Sequence, residues 1–124
     1  MRLLENNIHI RFVRSLLLFY SFLLLAHIGL SQGKIDSLQA QLEKDLDDST
    51  HVNLLIALSS EYRFVDFKKS KETAEQAVEL AEEKGLQTSR IKAYQNIGNL
   101  LTVSGDYSSA LRYDKLALQE SMDN

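Results

Sequence analysis

The side chains best suited to proton transfer or metal binding in this sequence are His51 and the acidic pairs Asp47-Asp48 and Glu82-Glu83. A nucleophile or a zinc site needs a second thiol or imidazole at a matching distance. Cysteine is absent, and after residue 31 His51 is the only histidine, so it reads as a capping or solvent-facing group at a helix start. Adjacent residues on a helix point about 100° apart, so neither acidic pair converges on one substrate. The first reads as a helix cap and the second as a solvated face. Gly98 and Gly105 fit neither spacing used to cradle phosphates. Tyr94, Tyr107 and Tyr113 could stack on bases, but their helical positions assign them to a core. Lys68, Lys69 and Lys71 are interleaved with Asp66 and Glu72, which makes a solvated helix start rather than a phosphate-tracking strip. No enzymatic activity, cofactor, metal, nucleic acid or small-molecule substrate is therefore expected.

What remains is a surface, and the elements that carry it are helices. Proline is absent and glycine occurs five times in 124 residues, so long helices run with few breaks. The first 31 residues are set apart. Arg2, Arg11 and Arg14 precede an apolar run over residues 15–30, with small residues at Gly29 and Ser31, as in a secretory signal cleaved after Ser31. A spanning helix wants about 20 apolar residues, so the run lies near the boundary between a cleaved signal and an anchor. The expected location is exported and periplasmic, with residues 12–31 holding the chain in the inner membrane if they are retained, the only membrane contact expected. From Gln32 onward, 11 Lys or Arg stand against 16 Asp or Glu, a net charge of −5.

Ile35, Leu38, Leu42 and Leu46 recur at steps of three and four, predicting an amphipathic lead-in helix within residues 34–47. Residues 47–50, Asp-Asp-Ser-Thr, stop it and cap a second helix that starts near His51, buries Leu54, Leu55, Leu58 and Tyr62, and ends around Arg63 or Phe64. Asp66 caps a third helix over residues 67–84, with Ala74, Ala77, Val78 and Ala81 where a neighbour can approach. Gly85 and Leu86 close it with a left-handed stop and an apolar clasp. A fourth helix begins at Thr88 or Ser89 and reaches Val103, and a fifth, capped by Asp106, covers residues 107–120. No segment alternates with period two, so no strand is predicted.

The two helix pairs repeat. Ser59, Ser70 and Ala77 correspond to Gly98, Ala110 and Ala117, at separations of 39, 40 and 40 residues. The second pair resembles the tetratricopeptide repeat. Its carriers are Tyr94, the Ile97-Gly98 pair, the Gly105-Asp106-Tyr107 turn, and Ala110 and Ala117. Leu55, Leu58, Ser59, Tyr62, Ser70, Ala74 and Ala77 occupy the matching slots of the first pair. Two departures stand out: Asp114 replaces a large apolar residue, and the repeat is about six residues longer than the usual 34.

The resemblance implies an all-α, helix-turn-helix repeat solenoid, an α-α superhelix preceded by a signal-peptide helix, with repeats at residues 50–86 and 88–122. Small residues would mark the helix crossings, with Tyr94, Ile97, Leu101, Tyr107 and Leu111 filling the gaps around them. It implies a peptide groove lined by the first helix of each hairpin: Asn53, Ile56, Ser60, Arg63 and Phe64 from one, Lys92, Gln95, Asn99 and Thr102 from the other. Asn99 would hold a peptide backbone or terminal carboxylate through its paired donor and acceptor. Similar exported segments form the sensor portion of bacterial signalling receptors. The expected partner is thus a protein or peptide, with self-association through Leu111, Leu116 and Leu118 as the alternative. Repeat arrays want about three repeats, so this chain is expected to belong to a longer array or to need a partner.

Overall fold

In the computed structural model, residues 2–123 are described, with side chains described for 9–23 and 31–123. They form α1 (Arg2–Leu42), α2 (Asp48–Tyr62), α3 (Phe67–Glu83), α4 (Gln87–Ser104) and α5 (Tyr107–Met122), with no strand among the described residues. The chain divides into two compact units, residues 1–33 and 34–124. In the first, α1 leaves Phe12, Leu18, Phe19, Tyr20 and Phe22 exposed. Part of the apolar run over 15–30 lies outside the described side chains. Among the described residues no helix is long and apolar enough to cross a membrane.

The helices of the second unit begin where aspartate can cap them. Asp47 accepts from the Thr50 N–H at 2.9 Å and from its hydroxyl at 2.5 Å, Asp66 accepts from the Lys69 N–H at 3.0 Å, and Asp106 from the Ser109 N–H at 3.1 Å. These bonds satisfy first-turn amides, and they hold the Asp47 and Asp106 carboxyls below the usual carboxylate range. His51 is therefore not the cap of α2, because Asp47 has already taken that place. Helix α4 is the exception. It starts at Gln87, one residue before the expected Thr88 or Ser89, from a Leu86 that supplies no side-chain cap. Gly85 and Gly105 sit at φ of 63° and 84°. There they allow paired reversals, Leu86 N–H to Ala81 O with Gly85 N–H to Glu82 O, and Asp106 N–H to Leu101 O with Gly105 N–H to Thr102 O.

The lead-in helix ends at Leu42 instead of extending to residue 46 or 47. The chain is turning by Lys44, whose N–H bonds Gln41 O, and Leu46 is only half-buried. Within this unit residues 34–42 pack on α2. Ile35 is buried against Leu58 and Tyr62 with Leu38 and Leu42 beside them, Gln39 Nε2 donates to Tyr62 Oη at 2.9 Å, and Lys34 pairs with Glu61 at 3.5 Å.

From there α2 packs on α3, α4 packs on both α3 and α2, and α5 packs on α4. All six small residues are buried at these seams. At the first crossing the two serines do more than leave space. Ser59 Oγ donates to Ser70 O at 2.9 Å and Ser70 Oγ donates to Ser59 O at 2.7 Å, so each helix holds the other's backbone. Val52, Leu55, Ala74, Ala77, Val78 and Ala81 then join Ala93, Tyr94, Ile97, Leu100, Leu101, Ala110 and Ala117 in one core. Tyr107 and Leu111, expected to fill gaps at the seams, are exposed, and Leu54 is half-buried where Val52 is fully enclosed.

Asp114 does not disturb the last helix. Its Oδ1 occupies the space over Gly98, 2.7 Å from where a Cβ would stand, while Ala110 O lies 3.6 Å away. Because the obstructing atom is the free end of an exposed side chain, Gly98→Ala is expected to displace only Asp114. The gain in helix propensity is then about 1 kcal/mol. Thermal melts should place Gly98→Ala at or above the parent midpoint and Gly98→Leu below it. A lower midpoint for the alanine variant would mean that the backbones themselves touch there.

Candidate binding surface

The side-by-side placement of α2 and α4 comes from polar residues that face each other across the gap. Ser49 and Ser89 hydroxyls lie 3.1 Å apart, and Asn96 Nδ2 donates to Ser59 Oγ at 3.1 Å. Ser60 Oγ lies 3.3 Å from Asn96 Oδ1 and 3.0 Å from Ile56 O, its one proton shared between the two acceptors. Both contacts run in the same chain order on the two helices, so α2 and α4 point the same way. Asn96 is buried, and the amide is acceptable inside only because both of its ends are bonded.

Each residue expected in a groove can now be placed. Asn53, Lys92, Gln95, Asn99 and Thr102 are exposed, as is Phe64 in the turn after α2. Thr102 returns its hydroxyl proton to Gly98 O at 3.0 Å. Ile56 is partly buried against the core, and Ser60 is half-buried in the Asn96 linkage, so neither is fully free for a ligand. Arg63 is half-buried, and its Nε is enclosed without a hydrogen-bond partner among the described residues. Gln95 turns toward α5, where it lines an open hollow of about 290 Å³ with Asp114, Ala117, Leu118 and Ser121.

Sequence reasoning passed over three polar linkages. Asn96 lies between Ala93 and Leu100 at steps of three and four, a spacing that already put it on the buried face of α4. Tyr94 Oη donates to Glu82 Oε1 at 2.7 Å, and its ring lies 5.9 Å from that of Tyr113. Burial, reinforced by the bond to Glu82, pushes the Tyr94 phenol up to about 12. Arg90 pairs with Glu120 at 2.6 Å while Gln87 Nε2 donates to Glu120 O, which fastens the end of α5 to the start of α4. The bond to Glu120 raises the Arg90 guanidinium above its ordinary value. No local pattern in sequence pairs residues 30 apart.

Of the groups able to do chemistry, His51 and Glu83 share a hollow lined also by Leu55, Gln76, Glu79 and Leu80. Glu82 is held elsewhere by Tyr94, so the two carboxylates of that pair part company. Among the described residues no group of three or more His, Cys, Asp or Glu could hold a metal ion. The class defined by these elements is an all-α fold like that of a helical repeat. No family model, curated protein or solved structure matches the chain.

Proposed function

We propose that this chain is a protein-interaction module of the tetratricopeptide type, exported from a bacterial cytoplasm as the sensor portion of a signalling receptor, that binds a peptide along α2 and α4. The single observation that carries the reading is the burial of all six small residues at the helix seams. That burial leaves Asn53 on α2 and Lys92, Asn99 and Thr102 on α4 exposed on neighbouring, like-directed helices, with Gln95 exposed on the side toward α5. Amides with both a donor and an acceptor suit the backbone of an extended peptide, and Lys92 suits an acidic side chain or terminal carboxylate.

A photoreactive benzoylphenylalanine placed at Asn53, Lys92 or Asn99 should cross-link one protein in living cells, whereas the same probe at Glu75 or Arg112 should not. A peptide from the captured protein should then compete, and Asn99→Ala should weaken it about tenfold, the loss of roughly 1.4 kcal/mol. Equal labelling from Glu75 and Arg112, or adducts formed only between copies of this chain, would defeat the proposal.

A further inference from the structure

The hollow beside α5 has a counterpart that is already filled. Shifted back by the repeat spacing, its lining residues Gln95, Asp114, Ala117, Leu118 and Ser121 fall on Ile56, Ala74, Ala77, Val78 and Ala81. In the first hairpin those five pack against the core that receives α4 through Ala93, Tyr94 and Ile97. Helix α4 touches both α2 and α3, so it lies in the groove between them. Among the described residues, the groove between α4 and α5 therefore has the form of a helix seat that no helix fills. Leu118 stands 59% exposed there, and Leu111 and Met122 are exposed along the same helix.

The substitutions between the two grooves specify the occupant. Ala74, Val78 and Ala81 make the filled seat apolar. In the open one Ala117 and Leu118 keep a narrow apolar stripe, while Asp114, Gln95 and Ser121 make its borders polar. Asp114 is exposed, has no hydrogen bond or ion pair among the described residues, and rests its Oδ1 over the bare backbone of Gly98 at the groove. We infer that this groove docks, from another protein, an amphipathic helix with a small-and-leucine stripe bordered by lysine or arginine. The net charge of −5 over residues 32–124 favours the same sign of partner. A second copy fits poorly on two counts. Its α2 is covered by its own Ile35, Leu38 and Leu42, and a two-fold pairing of the grooves would set each Asp114 against its twin. Gln95 borders both surfaces, but Asp114, Leu118 and Ser121 lie outside the Asn99 stripe, so variants at those three positions let each proposal fail alone.

The test uses the full chain with a solubility tag, in 0.15 M salt, and two fluorescein-labelled 18-residue helices. The helices share an alanine–leucine stripe and carry either lysine or glutamate along both borders. The lysine helix should bind saturably and at least tenfold more tightly than the glutamate helix. Asp114→Lys should reverse the preference, and Leu118→Ser should weaken the lysine helix about tenfold. Ser121→Glu should strengthen lysine-helix binding several-fold and serves if Asp114→Lys folds badly. Lack of saturable binding, or a lysine preference that survives Asp114→Lys, would overturn the inference. So would light scattering that shows an unliganded dimer split by Leu118→Ser, because a second copy would then fill the groove.

Discussion

Ile97→Ala is expected to lower the unfolding free energy by about 2 to 5 kcal/mol. Ile97 is 1% exposed and lies in the core shared by both hairpins, with Val52, Leu55 and Ala77 from one and Leu101, Ala110 and Ala117 from the other. The alanines around it have no side chain that can swing into the vacated space, so the cavity persists and its surface adds to the lost transfer energy. Domains are stable by about 5 to 15 kcal/mol in total, which makes this one site a large share of the reserve. Urea titration at pH 7 should show the midpoint falling by about 1 M or more, given slopes of roughly 1 to 3 kcal/mol per molar. Leu111→Ala, on a side chain 55% exposed, should move it within about 0.5 kcal/mol of the parent. Comparable losses from the two variants would mean that the hairpins do not share a core at Ile97.

Alkali should destabilise the protein through Tyr94. The phenol is 5% exposed and titrates near 12, against 10.0 for a free tyrosine. Burial is the larger cause, and donation to Glu82 Oε1 is the second, since a phenolate could not make that bond. The unfolded chain therefore releases this proton first. Between pH 10 and 12 it binds fewer protons than the native chain, so stability falls as pH rises across that window and is fully present below it. At about 1.4 kcal/mol per unit, the loss approaches an order of 2 kcal/mol at the upper end. Tyr94→Phe removes the group, and its urea midpoint should decline less than the parent's from pH 9.5 to 11.5. Parallel declines would show that other groups govern alkaline unfolding.

The parts of the fold legible in sequence were those fixed by local chemistry. Asp66 and Asp106 cap as their positions predict, and Gly85 and Gly105 carry the left-handed reversals where they stand. The small residues at fixed separations marked the seams because close approach of two helices leaves little room for large side chains there. The lead-in helix was read too long because Leu46 continues the apolar spacing, whereas the chain already turns at Lys44 and Asp47 is committed to capping α2. Tertiary pairings were hidden. Ser59 and Ser70 looked like substitutes for Gly and Ala, and only the crossing geometry gives their hydroxyls reciprocal bonds. Asn99 drew attention through a resemblance, while Asn96, three residues earlier, is the amide that ties α2 to α4. Asp114 stood out in sequence as a departure from the repeat's large apolar residue, and only the structure places its carboxylate over a bare glycine.

Among the described residues, helix α5 packs against α4 alone, while α4 is gripped from three sides. The outermost helix can therefore peel away without breaking any contact between the others, its terminal turn restrained chiefly by Arg90 and Gln87. The unit formed by residues 34–124 is thus graded, rigid where α2, α3 and α4 meet and looser at the margin formed by α5. Anything seated beside Leu118 would act as a clasp, converting that yielding margin into a continuation of the rigid centre.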